Sequence, residues 1–204
     1  MRVIAFVGAD GCGKTTQAKL LASRMESIGL RVKCVRPSFA LFDPWKAGGS
    51  LAYTLSPRRR KVADDSNLLT RSVFQIVGIL YALASYARIA TTGIRYDFVV
   101  CDRYFVQYFF DLFGREQALK ILKVFPRPDY TIWLDMDSGE VIQRNLERNS
   151  LESHGRYLRE VMSFYEDAHR ALNFNRIVVE SDPSSTAMKI WNAVGREVSL
   201  REVC

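Results

Sequence analysis

A glycine-rich stretch near the start of the chain, GADGCGKT at residues 8–15, has residue types and a spacing that suit phosphate binding. It fits the pattern G-x-x-x-x-G-K-[ST], with the apolar run RVIAFV before it and helical spacing after it. Glycines let the backbone turn its N–H groups inward, and the start of the following helix adds partial positive charge. The pattern therefore predicts a nucleotide site. Its cofactor-binding residues are Gly8, Asp10, Gly11, Cys12, Gly13, Lys14, Thr15 and Thr16.

Two of these side chains have specific expected roles. Lys14 reaches the β- and γ-phosphates in this pattern, and the Thr15 hydroxyl binds Mg²⁺. A guanine-specific switch protein would carry N-K-x-D late in the chain and D-x-x-G after the third strand, and the sequence contains neither at those places. A motor ATPase typically needs a longer chain than 204 residues. The sequence favours a small kinase that uses ATP and Mg²⁺.

A kinase also needs positive charge on the acceptor side, because the transition state spreads charge over three oxygens. Asp102 and Arg103 follow the apolar run FVVC, and Arg36 follows RVKCV. At such strand ends Asp102 can orient Mg²⁺ and its waters, and Arg103 can bind an acceptor phosphate in bidentate fashion. The alternative is a local Asp–Arg pair that has no role in binding.

A second arginine pair lies after the fourth predicted strand. Arg144 and Arg148 are four residues apart and share a helical face. We predict a lid at about residues 144–156 that excludes water and brings these arginines to the donor phosphates. The alternative is a solvated face that forms ion pairs with Glu140 or Glu147.

Apolar runs alternate with helical patterns along the whole chain. The sequence predicts an α/β fold of three layers, a P-loop NTPase fold with five parallel strands between helices, in a single domain over residues 1–204. The carboxyl ends of parallel strands form one edge, where ligands bind. Loop 8–15, Arg36, Asp102 and Arg103 should meet there.

Charge and composition limit the partners. The net charge of +7 suits an anionic partner, but the basic run PRRRK at 57–61 has no interleaved aromatic residues, so we expect no nucleic-acid binding. The uncharged segment 72–87 is shorter than the roughly 20 residues of a membrane span. We predict a core helix or a homodimer interface there.

The N-terminus runs directly into a strand without a signal peptide, which favours the cytoplasm. Isolated cysteines, Cys34 and Cys101 among them, are typical of small buried residues in strands.

Three segments in order resemble the thymidylate kinase family of nucleoside monophosphate kinases. They are GADGCGKTTQAKLL, then FVVCDRY, then PDYTIWLDMDSGEVIQR followed by YLREVMSFYEDA. The resemblance implies a five-stranded parallel sheet and transfer from MgATP to a nucleoside monophosphate, with dTMP as the default acceptor. It also implies that Asp10 faces the acceptor's sugar and that Arg103 and Arg36 bind the acceptor.

The chain departs from the family pattern around the acceptor. The family reads its base with an aromatic residue and an arginine on a helix, and those places fall near Val77 and Tyr81, between Arg71 and Arg88, where this chain has no arginine. Two alternatives therefore remain. One is a related kinase that acts on a different phosphorylated, sugar or lipid-linked metabolite. The other is a regulator that binds ATP without catalysis.

Overall fold

A computed structural model describes residues 2–37, 68–146 and 154–199 of the chain. Three features predicted from the sequence lie partly or wholly outside those ranges. They are the basic run 57–61, Arg148, and residues 147–153 of the predicted lid. The structure therefore bears on the predicted fold and on most of the predicted site.

Strands and helices alternate as the sequence pattern predicts. The strands are β1 (Arg2–Val7), β2 (Val32–Val35), β3 (Phe98–Asp102), β4 (Tyr130–Asp135) and β5 (Asn175–Val178). The helices in the described ranges are α1 (Lys14–Ser27), α2 (Leu68–Gly93), α3 (Phe105–Phe113), α4 (Arg115–Val124), α5 (Ser138–Leu146), α6 (His154–Leu172) and α7 (Pro183–Ser199).

The five strands form one parallel sheet in the order β2-β3-β1-β4-β5. The predicted α/β class and the predicted five-stranded parallel sheet are confirmed. In this register Phe6 is paired with Asp102, and Val35 is paired with Cys101. Because the strands are parallel, their carboxyl ends meet at one edge. The residues that follow β2, β3 and β1 are therefore neighbours at that edge.

Helices cover both faces of the sheet and make the three layers. Alternate residues of the central strand point to opposite faces, so Ile4 and Phe6 pack in one core while Ala5 and Val7 pack in the other. The first core contains buried residues of α1 and α7, and the second contains buried residues of α3, α4 and α6. Both faces are apolar because both are covered.

The long helix α2 has one packed face and one exposed face. Ala82 and Ile89 are buried in the core, whereas the opposite face exposes a stripe of large apolar side chains. The stripe consists of Val73, Ile76, Val77, Leu80 and Leu83. Within the described chain, segment Gln75–Gly93 is the one stretch that is long and apolar enough to cross a membrane, and 28% of it is buried. Core helices of soluble proteins meet the same criterion.

The cysteine prediction was right for one of two strand residues. Cys101 on β3 is fully buried, and burial raises the pKa of its thiol. Cys34 on β2 is exposed, so its predicted burial was wrong. The physical reason is its position in the sheet, because β2 lies at the edge and is covered less than the central β3.

Candidate functional site

The loop between β1 and α1 has the backbone shape that phosphate binding requires. Gly8, Gly11 and Gly13 have φ values of 140°, 94° and 89°, a region that side-chain-bearing residues rarely adopt. Gly13 is the N-cap of α1 and provides no side-chain cap, so the first N–H groups of the helix have no capping oxygen from it. Unpaired N–H groups at a helix start favour an anion.

Gly8 also has a packing reason to be glycine. A Cβ built on Gly8 would lie 2.6 Å from the carbonyl oxygen of Leu134 and 3.0 Å from Cys12 Sγ. The loop therefore passes directly over the end of β4, with no room for a methyl group. This close approach ties the shape of the loop to the central sheet.

We predict that Gly8→Ala destabilises the protein by on the order of 3 kcal/mol, because the methyl group overlaps a fixed backbone oxygen and the residue has a positive φ. Urea denaturation measures this loss. Gly29→Ala is the matched control, since Gly29 has a φ of 88° but open space around its Cβ. The control should lose only about 1 kcal/mol. Equal losses for the two variants would contradict the packing argument.

Lys14 is held against the loop that precedes it. Its Nζ donates to the carbonyl oxygens of Gly8 at 2.8 Å and Ala9 at 2.5 Å, and it lies 3.8 Å from Asp10 Oδ1. The side chain is buried, and Cys12 Sγ lies 3.7 Å from the same nitrogen. The ammonium group is thus positioned at the concave side of the loop by backbone oxygens.

Thr15, Asp102 and Arg36 form a compact cluster beside the loop. Thr15 Oγ1 donates to Asp102 Oδ2 at 2.8 Å, and Arg36 donates to the same Oδ2 from Nε at 3.0 Å and from Nη2 at 2.7 Å. Arg36 Nη2 also lies 2.9 Å from Thr15 Oγ1. The sheet register explains the cluster, because Arg36 and Asp102 each follow one residue of the pair Val35–Cys101.

Arg103 continues this cluster toward the loop. Its Nη2 donates to Asp10 Oδ1 at 2.6 Å, and its Nε is buried without a hydrogen-bond partner in the described part of the chain. Arg103 has a φ of 84°, and Asn173 is the other non-glycine residue described with a positive φ. Strained backbone of this kind persists only where surrounding structure holds it, and it is concentrated at functional sites.

A cleft of about 410 Å³ opens along the carboxyl edge of the sheet. The predicted residues Gly11, Cys12, Gly13, Lys14, Thr15, Thr16, Arg103 and Arg144 all line it. Arg144 also forms an ion pair with Glu140, at 3.6 Å, which was the alternative to a role at the donor phosphates. The structure therefore brings the loop, the β3-end arginine and the first arginine of the predicted lid to one cavity. Arg148 lies outside the described residues.

The cleft also contains residues that sequence reasoning missed. Gln17, Glu180 and Thr186 line it together with Val179, Ser181 and Pro183. Gln17 donates from Nε2 to the Pro183 carbonyl oxygen at 2.9 Å, and Thr186 Oγ1 accepts the N–H of Glu180 at 2.9 Å. The position of Gln17, one turn after Lys14 on the same helix, is the signal that could have identified it.

Two tyrosines of α6 make contacts that sequence reasoning missed, and one of them reaches the phosphate-binding loop. Tyr165 is buried, and burial raises the pKa of its hydroxyl well above the ordinary value, while a hydrogen bond with the Gly8 backbone works in the opposite direction. The Tyr157 hydroxyl donates to Asp111 Oδ1 at 2.6 Å and accepts from Gln107 Nε2 at 3.0 Å. Nothing in the local sequence pattern of α6 indicates these contacts.

The two residues predicted to read the acceptor base lie apart from this cleft. Val77 is on the exposed stripe of α2, with 39% of its surface accessible. The Tyr81 ring packs against the ring of Tyr108, with centroids 6.2 Å apart. Neither residue lines the cleft described above.

The cluster around Asp102 has the chemistry of a divalent-cation site. Mg²⁺ prefers carboxylate and hydroxyl oxygens, which Asp102 and Thr15 provide. Asp102 Oδ1 is buried and has no hydrogen-bond partner in the described part of the chain, an arrangement that a carboxylate normally avoids. The residues present therefore fit a magnesium ion held by Thr15 and Asp102.

A loop of this shape between the first strand and the first helix of a parallel sheet, with a lysine and a threonine at the helix start, defines a P-loop nucleotide-binding protein. The family model for thymidylate kinase matches residues 6–189. The chain therefore belongs to the thymidylate kinase family.

Two relatives in this family are distant from the chain in sequence. A thymidylate kinase of Xanthomonas oryzae pv. oryzae is 30% identical over 156 residues, which are 74% of this chain and 63% of that protein. One from a Psychrobacter species is 24% identical over 222 residues, covering 97% and 98% of the two chains. The chain thus matches less than two thirds of the length of the Xanthomonas protein.

Solved structures share the fold. The crystal structure of thymidylate kinase from Ehrlichia chaffeensis aligns with a TM-score of 0.56 at 18% identity, covering 95% of this chain and 98% of that chain. Deoxyadenosine kinase from M. mycoides with bound dCTP aligns with a TM-score of 0.53 at 15% identity, covering 95% and 99%. These two similarities support the three-layer architecture.

Proposed function

We propose that the protein is a nucleotide kinase that transfers the γ-phosphoryl group of MgATP to a nucleoside monophosphate, with dTMP as the default acceptor. The observation that carries the proposal is the shared cleft, because Lys14 and Arg103 line one cavity although they lie on different elements. Phosphoryl transfer depends mainly on positioning and on positive charge around the moving group. A cleft with cationic groups on two walls meets both needs.

On the donor side, the loop N–H groups and Lys14 would bind the nucleotide phosphates. In the structure, Lys14 Nζ donates to the carbonyl oxygens of Gly8 and Ala9. Phosphate oxygens of a bound nucleotide would take the place of these carbonyl oxygens as its acceptors. Thr15 and Asp102 would hold magnesium, which when bound offsets the negative charge of the phosphate oxygens. Arg144 lines the same cleft and adds charge from α5.

On the acceptor side, Arg103 would bind the acceptor phosphate. The guanidinium has several donors in a planar fork that matches phosphate oxygens. Asp10, which accepts from Arg103 at 2.6 Å, would orient the guanidinium and face the acceptor's sugar. The resemblance also assigns Arg36 to the acceptor.

A panel of acceptors tests this function. Purified protein with MgATP would be assayed for ADP release with dTMP, other deoxyribonucleoside and ribonucleoside monophosphates, and phosphorylated sugars. A clear preference for dTMP supports the proposal. Preference for a phosphorylated sugar would replace the acceptor and keep the enzyme class. MgATP binding by calorimetry without turnover on any acceptor would favour a non-catalytic regulator.

We further propose a homodimer formed through the exposed stripe of α2. Five large apolar side chains on one helix face form a contiguous exposed surface, and such surfaces mark interaction sites more often than chance.

A cytoplasmic location is also proposed, because the donor and the acceptor are cytoplasmic metabolites. It is supported by the family membership.

A charged residue in the middle of the stripe should break the dimer. We predict that Leu80→Glu shifts the protein from dimer to monomer in sedimentation velocity at micromolar concentration, because the carboxylate would be buried without a partner. Val124→Glu is the matched control, since Val124 is an exposed apolar residue at the end of α4, outside the stripe. A wild-type protein that is monomeric throughout this range would contradict the dimer.

A further inference from the structure

The Arg36 guanidinium donates hydrogen bonds to Thr15 Oγ1 and Asp102 Oδ2, two oxygens that a divalent cation bridging Thr15 and Asp102 would use. It donates to Asp102 Oδ2 from two nitrogens, at 3.0 and 2.7 Å, and its Nη2 lies 2.9 Å from Thr15 Oγ1. Those two oxygens belong to the residues that fit magnesium. A cation ligated by both oxygens would lie about 2.1 Å from each, so it would compete with the guanidinium for the same two oxygens.

A positive partner stabilises Asp102 in its buried position. The residue is 5% exposed, and a carboxylate that is buried without a counter-charge costs several kcal/mol. Arg36 meets that need from the end of the neighbouring strand, where the register places it beside Asp102. Its own side chain is 37% exposed, so part of it already contacts solvent.

We propose that Arg36 is a resident counter-ion of Asp102 and that a divalent cation binds by displacing it. The proposal rests on the proposed function, since it takes Thr15 and Asp102 as the metal ligands. The exchange keeps the charge of Asp102 neutralised in both states. Metal entry also frees a guanidinium at the edge of the cleft, where a phosphate group would attract it.

Metal binding in the absence of nucleotide is the direct test. Mn²⁺ is the probe, since the electron paramagnetic resonance signal of the free ion reports how much is bound. We expect Arg36→Gln to bind Mn²⁺ about tenfold more tightly than the wild type, which corresponds to about 1.4 kcal/mol. The gain should disappear in the double variant Arg36→Gln with Asp102→Asn, because the metal ligand is then lost.

The control must remove the same charge elsewhere. Arg31→Gln does so, because Arg31 precedes β2 and pairs with Asp97 at 3.1 Å, and its side chain is 67% exposed. We expect this variant to bind Mn²⁺ as the wild type does, apart from a small long-range effect. If Arg36→Gln binds Mn²⁺ no more tightly than Arg31→Gln, the displacement proposal is wrong.

A second measurement uses the unmodified protein and does not depend on the folding of any variant. The Arg36 Nε–H group donates to Asp102, so its ¹⁵N resonance reports that hydrogen bond. We expect the resonance to shift between protein with ADP and EDTA and protein with MgADP. An unchanged Arg36 resonance in saturating MgADP would overturn the proposal, even if turnover on the acceptor panel establishes the kinase reaction. Displacement without turnover would instead reject the kinase proposal alone.

Discussion

Lys14→Ala should lower the turnover of the kinase reaction by roughly 10²–10³-fold or more, the scale expected when one preorganised charge is lost from a closed site. Lys14 is the cation at the concave side of the loop, and its Nζ is fixed by the carbonyl oxygens of Gly8 and Ala9. An alanine leaves that side of the loop without a positive side chain. The rate of ADP release with saturating MgATP and dTMP measures the loss.

Two controls separate charge from structure in this variant. Lys19→Ala removes the same residue type from the exposed face of α1, five positions later, and should retain the wild-type rate. Lys14→Met keeps the apolar stem and removes the charge, so it should retain more stability than Lys14→Ala while remaining as slow. A variant without Lys14 that turns over at the full rate would contradict the role assigned to it.

Two substitutions at Arg103 should lose the same activity but differ in stability. We predict that Arg103→Gly and Arg103→Ala both lose turnover by roughly 100-fold or more, because the acceptor phosphate loses its guanidinium. The glycine variant should nevertheless be more stable than the alanine variant by about 1 kcal/mol, since glycine adopts the φ of 84° without steric cost. Steady-state kinetics and urea denaturation of the same preparations give both quantities.

The control for backbone strain is the other described residue with a positive φ. Asn173 has a φ of 56° and lies after α6, where it does not line the cleft. Asn173→Gly should leave turnover unchanged, with at most a small change in stability, because asparagine tolerates this conformation. If Arg103→Gly were less stable than Arg103→Ala, the strain at this position would not be real.

The loss of activity in Arg103 variants should depend on which substrate is varied, because Arg103 is assigned to the acceptor phosphate. Arg103 follows β3 and donates to Asp10, whereas Arg144 lines the cleft from α5. We therefore expect variants of Arg103 to change kcat/KM for the acceptor more than kcat/KM for ATP. The comparison uses the same protein and differs only in which substrate is varied.

Much of the donor site could be predicted from sequence because its geometry is local. The positive φ values of Gly8, Gly11 and Gly13, and the helix that begins at Lys14, all follow from residues within one short stretch. The positions of Asp102 and Arg103 followed from a rule of parallel sheets, which places strand ends at one edge. The prediction needed only the existence of the strands and not their order.

The pairings across that edge were decided by the tertiary structure. The sequence predicted that Arg36 lies at this edge but not its contacts, which are with Asp102 and Thr15, 66 and 21 residues away in sequence. That contact depends on the register of β2 against β3, and register is set by the packing of whole strands. The hydrogen bond of Tyr165 with the Gly8 backbone has the same origin, because α6 must first pack on the sheet.

By itself, the sequence of this protein determined the α/β class, the phosphate-binding loop and the residue types at the sheet edge, since backbone preference and apolar periodicity act over a few residues. The tertiary structure alone decided that Thr15 and Arg36 both donate to the Asp102 carboxylate. It also decided that Gln17 contacts the start of α7 beside the cleft, and which face of α2 remains exposed. Those outcomes depend on contacts between residues far apart in the chain. Such contacts form only when the complete sheet and its helices are in place.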